Sequence, residues 1–460
     1  MTFSDYIDYL RGKRIGVIGF GVSNQPLVRV LLRNGCDVTV CDRRERAQLG
    51  AAGDEAAAQG AKFALGADYL EHLDFDVIFR TPGVLPIVPQ LRKAAQNGAI
   101  LTSEMEAFCN LCPCRILAIT GSDGKTTTST ITAELLRAQG YTVHLGGNIG
   151  TPLFDRIADI RPDDFAVLEL SSFQLHSMHC APDVAIITNI SPNHLDVHPD
   201  LEDYVSAKCS IYRGQRPDGV LVLNARDAHT PRFAAEAPGS VCYFSSIGPV
   251  ENGVYCSDGV IYRAHGGKAE KLIDVSDIRI PGAHNVENYM AAFAATDGLV
   301  GQAACVQVAR SFAGVPHRME RIRELNGITF INDSIASSPT RTIAGLHALP
   351  KPPVIILGGH DKHILFDELG DEVCLHAKAA VVVGETAQRI AAAIRGSKFY
   401  DPGKLPLVEA PDFRAAVEMA YRLAQPGDTV TLSPACSSFD FFKNFAERGD
   451  TFRAIVEGLQ

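Results

Sequence analysis

Apolar residues in this chain come as two kinds of run that take turns. Short β-branched blocks read as buried strands: Arg14 into Gly19-Phe-Gly21, Asp37 to Cys41, Asp76 to Phe79, Ile116 to Ile119, Phe165 to Glu169 and Asp183 to Ile190. The same pattern resumes at Ile328 to Asn332, Pro353 to Leu357, Ala379 to Val383 and Thr429 to Leu432. Between them lie stretches of helical spacing: Pro26 to Asn34, a run carrying Ile131, Leu135 and Leu136, and Leu201 to Tyr212 with Tyr204, Ala207 and Ile211. Strand-then-helix alternation predicts an α/β fold with mostly parallel sheets. Val220 to Leu272 departs from it, with short β runs and glycine turns, including a predicted hairpin over 253–262. Breaks near Leu111–Pro113 and Ser311 divide the chain into three expected domains, 1–112, 113–312 and 313–460. The first and third are expected to be Rossmann-like. The central one is expected to be a P-loop ATPase-like domain.

Composition narrows the class. At 460 residues the chain exceeds one core, so two or three domains are expected, and 46% hydrophobic content with 40 Gly and 25 Pro fits a soluble α/β protein. Apolar runs break well short of a membrane span and no leader is read at the start, so no membrane is expected. A net charge of −10 argues against a nucleic-acid surface, and any anionic ligand must be met by local Lys, Arg and helix ends. Of twelve cysteines only Cys112-Pro-Cys114 forms a close pair, which reads as reduced thiols in a cytosolic protein.

The candidate chemistry centres on Thr120-Gly121-Ser122-Asp123-Gly124-Lys125-Thr126-Thr127, set between a strand and a helix. Glycines there let backbone amides approach a phosphate chain, Lys125 reaches the β/γ-phosphates and Thr126 meets Mg²⁺. Ile119 stands where the usual first glycine of such a loop would be. Glu169, a lone carboxylate ending an apolar strand, reads as a second Mg²⁺ ligand. His194, Asp196 and His198 cluster after another strand and suggest a metal or reacting-phosphate site, whereas Lys208 alone reads as a solvent-facing helix lysine. Asn285 and Asn288 cap the following helix or meet a base or ribose. In the first domain Gly19-x-Gly21 with Asp42 approximates a dinucleotide fingerprint, but Asn24 replaces the third glycine. A Rossmann-like fold without redox cofactor is therefore read over an NAD site. A nucleotide-like ligand fits the Gly21–Asn24 turn with Asp42 and Arg43, and Thr81-Pro-Gly83 closes the same crevice. In the third domain Asn332-Asp-Ser, Gly358-Gly-His-Asp-Lys362 and Ser433-Pro-Ala-Cys-Ser-Ser-Phe439-Asp all end strands, so they converge on one sheet edge.

TGSDGKTT, GNIG (147–150), ELSSFQL (169–175), NHLDVH (193–198), HRME, INDS, GGxDK and SPACSSFD together resemble the Mur ligases over nearly the whole chain. They are most similar to the member that adds D-glutamate during cytoplasmic peptidoglycan precursor synthesis. The resemblance implies an ATP-dependent amide-bond ligase that joins D-glutamate to UDP-N-acetylmuramoyl-L-alanine through an acyl phosphate. It implies a monomer with small-molecule partners, ATP as co-substrate and two Mg²⁺. On it, Gly121, Ser122, Asp123, Gly124, Lys125, Thr126 and Thr127 cradle ATP, with Asn285, Asn288, Arg318 and Asp333 around the adenosine and γ-phosphate. Thr126, Glu169, His194 and a carbamylated Lys208 serve the metals, and Lys125, His194 and Lys208 are the catalytic set. Asn148 and His194 face the substrate carboxylate and acyl phosphate, and Ser23, Asn24, Asp42, Arg43, Thr81 and Gly83 hold the UDP-sugar. Lys362, Ser433 and Phe439 take D-glutamate. The chain departs from the family pattern in GSDGKTT, where GTNGKTT is commoner, and in Ile335 and Ser337, which replace Lys and Thr. Arg341 or Lys362 is the candidate replacement cation. The rivals are a ligase for another amino acid or a folate-type acceptor, an NAD-dependent dehydrogenase using Gly19, Gly21 and Asp42, and a nucleotide-binding regulator without chemistry.

Overall fold

A computed structural model of the protein describes residues 1–192, 198–361 and 365–460. The chain forms two compact units, Met1–Phe312 and Ala313–Gln460. The first unit holds two sheets. One comprises β1 (Arg14–Ile18), β2 (Asp37–Asp42), β3 (Lys62–Leu65), β4 (Val77–Arg80) and β5 (Ile100–Thr102), all parallel, in the order β3-β2-β1-β4-β5. The order reverses between β1 and β4, so the crevice at their carboxyl ends is a topological switch point. Thr81 sits there, its amide donating to the Ile18 carbonyl at 2.9 Å.

The second sheet comprises β6 (Arg115–Thr120), β7 (Val143–Gly147), β8 (Phe165–Glu169), β9 (Val184–Ile187), β10 (Val220–Asn224), β11 (Ser240–Ser245), β12 (Gly253–Ser257), β13 (Val260–His265) and β14 (Lys268–Asp274). Their order is β14-β13-β12-β11-β10-β9-β6-β8-β7. β6 lies between β8 and β9, a second switch point, and the loop after it opens there. β12 to β14 form the antiparallel extension foreshadowed by the glycine turns of that stretch. β8 and β9 are buried along their whole length, as Val- and Ile-rich parallel strands with both faces covered must be. One face is covered by the helix Lys125–Ala138 and by Ala283–Ala295, where Tyr289 to Ala295 are all buried. Its five alanines carry no bulk, which lets the backbone approach the sheet closely.

Arg80 at the end of β4 is buried and donates to Ser177 Oγ at 2.8 Å and the Phe173 carbonyl at 3.3 Å, linking the first sheet to the segment after β8. All twelve cysteines are free thiols, with Cys112 and Cys114 Sγ 3.4 Å apart. Among the described residues no helix is long and apolar enough to cross a membrane.

The second unit is one sheet of β15 (Glu320–Leu325), β16 (Ile328–Asn332), β17 (Val354–Leu357), β18 (Ala379–Val382), β19 (Leu407–Glu409) and β20 (Thr429–Leu432). Its order is β15-β16-β20-β17-β18-β19, with β15 antiparallel at the edge and the rest parallel. The strands read as ending in polar loops, β16, β20 and β17, are immediate neighbours.

Candidate active site

The loop after β6 is shaped by two glycines at which any side chain would be strained. Gly121 has φ +149°, and a Cβ on it would lie 1.9 Å from Thr188 Oγ1. Gly124, the residue before the helix, is left-handed at φ +79°, and its Cβ would meet Asn288 Oδ1 at 2.3 Å. With these turns the chain enters the helix Lys125–Ala138, and the first turn of a helix, whose amides have no intrahelical acceptor, is suited to an anion. The loop is fixed from several sides. Ser122 Oγ donates to the Ser191 carbonyl at 2.9 Å and lies 2.9 Å from the Tyr204 hydroxyl. The Asp123 amide donates to Asn189 Oδ1 at 3.0 Å, and Thr188 Oγ1 donates to the Asp123 carbonyl at 2.6 Å.

Thr126 opens the helix beside the carboxyl end of β8. Its hydroxyl donates to Glu169 Oε2 at 2.7 Å, and Asn148 Nδ2 donates to Glu169 Oε1 at 2.9 Å. Glu169 is buried. A buried carboxylate and a hydroxyl meeting at a phosphate loop are hard oxygen donors of the kind Mg²⁺ prefers, so Thr126 and Glu169 fit that ion. Thr127 follows in the same first turn, half-buried.

Two lysines converge on the loop. Lys125 Nζ donates to the carbonyls of Gly121 and Ser122, both at 2.8 Å. Lys208 is buried, contrary to the solvent-facing position its helical stretch alone suggests. Its Nζ donates to the Gly121 carbonyl at 2.7 Å and lies 4.6 Å above the Tyr204 ring. Burial, reinforced by the nearby Lys125 charge, holds this amine well below its ordinary value although Asp123 and Glu169 oppose the shift. Burial of this kind favours the uncharged, nucleophilic amine over the ammonium. The helix pattern contained the signal: Tyr204, Lys208, Ile211 and Tyr212 fall at i, i+4, i+7 and i+8 on one buried face.

His194 and Asp196 lie outside the described residues. His198 groups with His176 and Asp203, whose ligating atoms lie within 4.8 Å of one another. Its ring is buried, with Nδ1 2.6 Å from Asp203 Oδ2 and Nε2 2.9 Å from Ser172 Oγ, and His176 reaches the same Asp203 at 3.1 Å. That network joins the segment after β8 to the helix Leu201–Arg213 carrying Lys208. Asn285 and Asn288 do not cap their helix, which begins at Gly282 without a side-chain cap. Instead Asn288 Oδ1 accepts from Thr128 Oγ1 at 3.2 Å and its Nδ2 donates to Asn285 Oδ1, tying this helix to the phosphate loop's helix.

In the first sheet the turn after β1 uses its polar residues internally. Asn24 is buried, and its Nδ2 donates to the Gly19 carbonyl at 2.8 Å and the Ile18 carbonyl at 3.2 Å, so its amide nitrogen builds the turn instead of meeting a ligand. Asp42 accepts from the Phe20 amide at 2.6 Å and from Arg44, not Arg43. Burial opposes its ionisation, but the Arg44 pair and backbone amides outweigh it and hold the carboxyl at about 2. Arg43 and Gly83 are exposed, and Ser23 and Thr81 half-buried, at the same crevice. Arg44 is a member of this site that the sequence reading passed over.

In the second unit, Asp333 after β16 accepts from the Met319 amide at 3.1 Å and from Ser433 Oγ at 2.8 Å, and Ser433 follows β20. Thr342 Oγ1 donates to the Ser433 carbonyl at 3.2 Å. Burial pushes the Asp333 carboxyl up to about 6, against its hydrogen bonds and the charges of Arg318 and Arg341. Arg341 thus places positive charge near the position where Ile335 replaces a lysine. Arg318 is exposed, and Phe439 is 63% exposed, its ring edge-on to His360 at 6.1 Å. Lys362 lies outside the described residues. Arg448, which the sequence reading did not single out, is buried behind this edge, donating to the carbonyls of Ser334, Cys436 and Ser437. Ser437 Oγ and Asp440 Oδ2 are buried there with no hydrogen-bond partner among the described residues.

Comparison with known proteins agrees with this geometry. The Mur ligase middle domain matches residues 119–296, and the Mur ligase glutamate ligase domain matches 317–436. The chain belongs to the Mur ligase family. Within it, a UDP-N-acetylmuramoylalanine–D-glutamate ligase of Acetivibrio thermocellus is 45% identical over 461 residues, covering 99% of both chains. The enzyme of the same name from Clostridium botulinum is 43% identical over 459 residues, covering 100% of this chain and 99% of its own. The fold is shared with MurF from Acinetobacter baumannii at TM-score 0.56, 19% identity and coverage of 96% and 89%. It is also shared with UDP-N-acetylmuramate-alanine ligase from Thermotoga maritima at TM-score 0.54, 17% identity and coverage of 97% and 99%.

Proposed function

We propose that this chain is the ATP-dependent ligase that adds D-glutamate to UDP-N-acetylmuramoyl-L-alanine, releasing ADP and phosphate, as a step of peptidoglycan precursor synthesis in the cytoplasm. Likeness over the full length to enzymes of that name supports the substrates. The observation that carries the ATP half is Thr126 against buried Glu169 at 2.7 Å, beside Lys125 and Lys208 on one loop. The proposed division of labour follows the three segments: 1–112 holds the UDP-sugar, 113–312 holds ATP, and 313–460 holds D-glutamate. The enzyme acts on small molecules as a monomer.

In this reading the loop amides and Lys125 seat the phosphates, with Asn285, Asn288, Arg318 and Asp333 serving the nucleotide. The alanyl carboxylate attacks the γ-phosphorus, forming an acyl phosphate while ADP leaves. The amine of D-glutamate then attacks the acyl carbon, loses a proton and expels phosphate. Thr126 and Glu169 hold one Mg²⁺. His194 and Lys208 serve the second, Lys208 after its neutral amine adds to CO₂ and releases a proton, which leaves an anionic carbamate. When bound, these ions neutralise phosphate charge. The chain's own share is positioning and charge: Lys125 offsets developing negative charge, Asn148 orients Glu169, and Lys362, Ser433 and Phe439 receive the amino acid. The test is phosphate release with UDP-N-acetylmuramoyl-L-alanine and a panel of L- and D-amino acids. Release dependent on D-glutamate is expected. Release driven by another amino acid, or nicotinamide binding without ATP hydrolysis, would refute the reading.

A further inference from the structure

A separate cluster of ligating side chains lies in the second unit, made of residues that have no role in the site described above. It is formed where the helix Pro339–Ala348 runs beside the helix Asp367–His376. His347 Nε2 is 2.6 Å from Glu372 Oε2, and His376 Nε2 is 3.4 Å from that same oxygen. The two imidazole rings stand edge to face, centroids 4.7 Å apart and planes at 71°. One ligating atom from each of the three residues can be chosen so that all lie within 4.8 Å of one another. Glu372 and His376 are four residues apart, one helical turn, and so share a face. His347 is in the last turn of its helix and His376 ends the other. Beneath them Leu346, Leu369 and Val373 are buried in one apolar cluster, which fixes the two backbones relative to each other.

We propose that His347, Glu372 and His376 form a site for a divalent first-row transition metal of the zinc class, with water completing the coordination. Three side chains of this composition plus solvent is a common first shell for such ions. Two imidazole nitrogens set the class. Mg²⁺ and Ca²⁺ take oxygen ligands, whereas imidazole suits Zn²⁺, Co²⁺, Ni²⁺ and Cu²⁺. In the ion-free protein the carboxylate is hydrogen-bonded to the His347 ring and lies 3.4 Å from the His376 ring, and the metal replaces the proton held between the first pair. Bound there, the ion fastens the last turn of one helix to the last turn of the other. The first of these helices also carries Thr342, bonded to the Ser433 carbonyl, and Gly345, packed against Asp333, so the clamp braces the helix that supports the acidic end of β16. The proposal does not depend on the ligase assignment.

Titration of the full-length chain, free of any affinity tag, with Co²⁺ tests it. Saturable visible d–d absorption near one equivalent is expected, without a thiolate-to-cobalt band, and Zn²⁺ should displace it. His347→Ala and His376→Ala should each weaken binding by at least about tenfold, the least that disturbing a metal site usually costs. His265→Ala, an exposed histidine elsewhere, should bind as wild type. Metal should raise the melting temperature of wild type but not of the two site variants, whose metal-free melting should match wild type and so certify their fold. No saturable band, a band dominated by thiolate charge transfer, or undiminished binding in both His347→Ala and His376→Ala would overturn the site.

Discussion

Asp333→Asn isolates what the second unit gives up to keep a carboxylate in its interior. Asp333 is 4% exposed, and burial holds its acid form up to about 6 against an ordinary 3.8. A gap of that size corresponds to about 3 kcal/mol between the two protonation states. The sign follows from proton counting. Between the two values the folded chain keeps the proton that the unfolded chain has lost, so this residue's contribution to stability falls as pH rises. Below the unfolded value both states are protonated and nothing is lost. Asparagine imitates the protonated form at every pH and preserves an acceptor for the Met319 amide. The variant should therefore match wild type, within its altered Ser433 contact, near pH 4, and gain about 3 kcal/mol on it by about pH 7.5. Urea unfolding followed by circular dichroism across that range is the assay, since the chain has no tryptophan. The constant cost of the Ser433 contact cancels in the pH-dependent difference. A stability difference that stays flat from acid to neutral pH would refute the assignment of a raised carboxyl. Ligase turnover should fall in the same variant, because the ionised group is retained against its stability cost.

Glu169→Gln presents an amide to donors that now both point at a carboxylate, and kcat should fall by about 10² to 10³, the loss usual for one oriented electrostatic group; steady-state phosphate release checks this. Lys208→Ala should abolish turnover and regain part of it with added small carboxylates, whereas Lys208→Arg, which cannot add CO₂, should stay inactive in the same assay. Gly124→Ala forces a Cβ to within 2.3 Å of Asn288 Oδ1 at a left-handed backbone. It should weaken ATP binding, measured by calorimetry, and cost about 1–2 kcal/mol in stability.

Much of this architecture was written in the spacing of apolar blocks. β6, β8 and β9 appear as nearly continuous apolar runs because strands buried on both faces favour them, and the polar residues that end β16, β17 and β20 marked one sheet edge in advance. The phosphate loop was legible because its glycines answer a backbone need local to the chain. What failed to show were partners supplied from far away in sequence. Lys208 looked exposed because a lone polar residue in a helix defaults to water; its place on the face of Tyr204 and Ile211 was readable, but the distant Gly121 carbonyl that receives its amine was not. Arg44 was overlooked in favour of Arg43 because neighbouring arginines are indistinguishable until strand β2 fixes which one turns toward Asp42. Asn24 stands where a third glycine would allow close helix–strand packing, and its amide nitrogen instead ties the turn to the Ile18 and Gly19 carbonyls, a use no local pattern announced. Ser172, His198 and Asp203 come from separate elements, so no local pattern could announce their network.

The Gly121 carbonyl receives hydrogens from both Lys125 and Lys208. One acceptor serving two amines makes their ionisation interdependent: the cation on the first discourages one on the second. Deleting Lys125 therefore removes more than a phosphate contact, since its neighbour regains affinity for a proton and loses reactivity toward CO₂. The Lys125 charge adds to burial in holding the Lys208 amine down, so the two alanine variants should show effects on turnover that do not add.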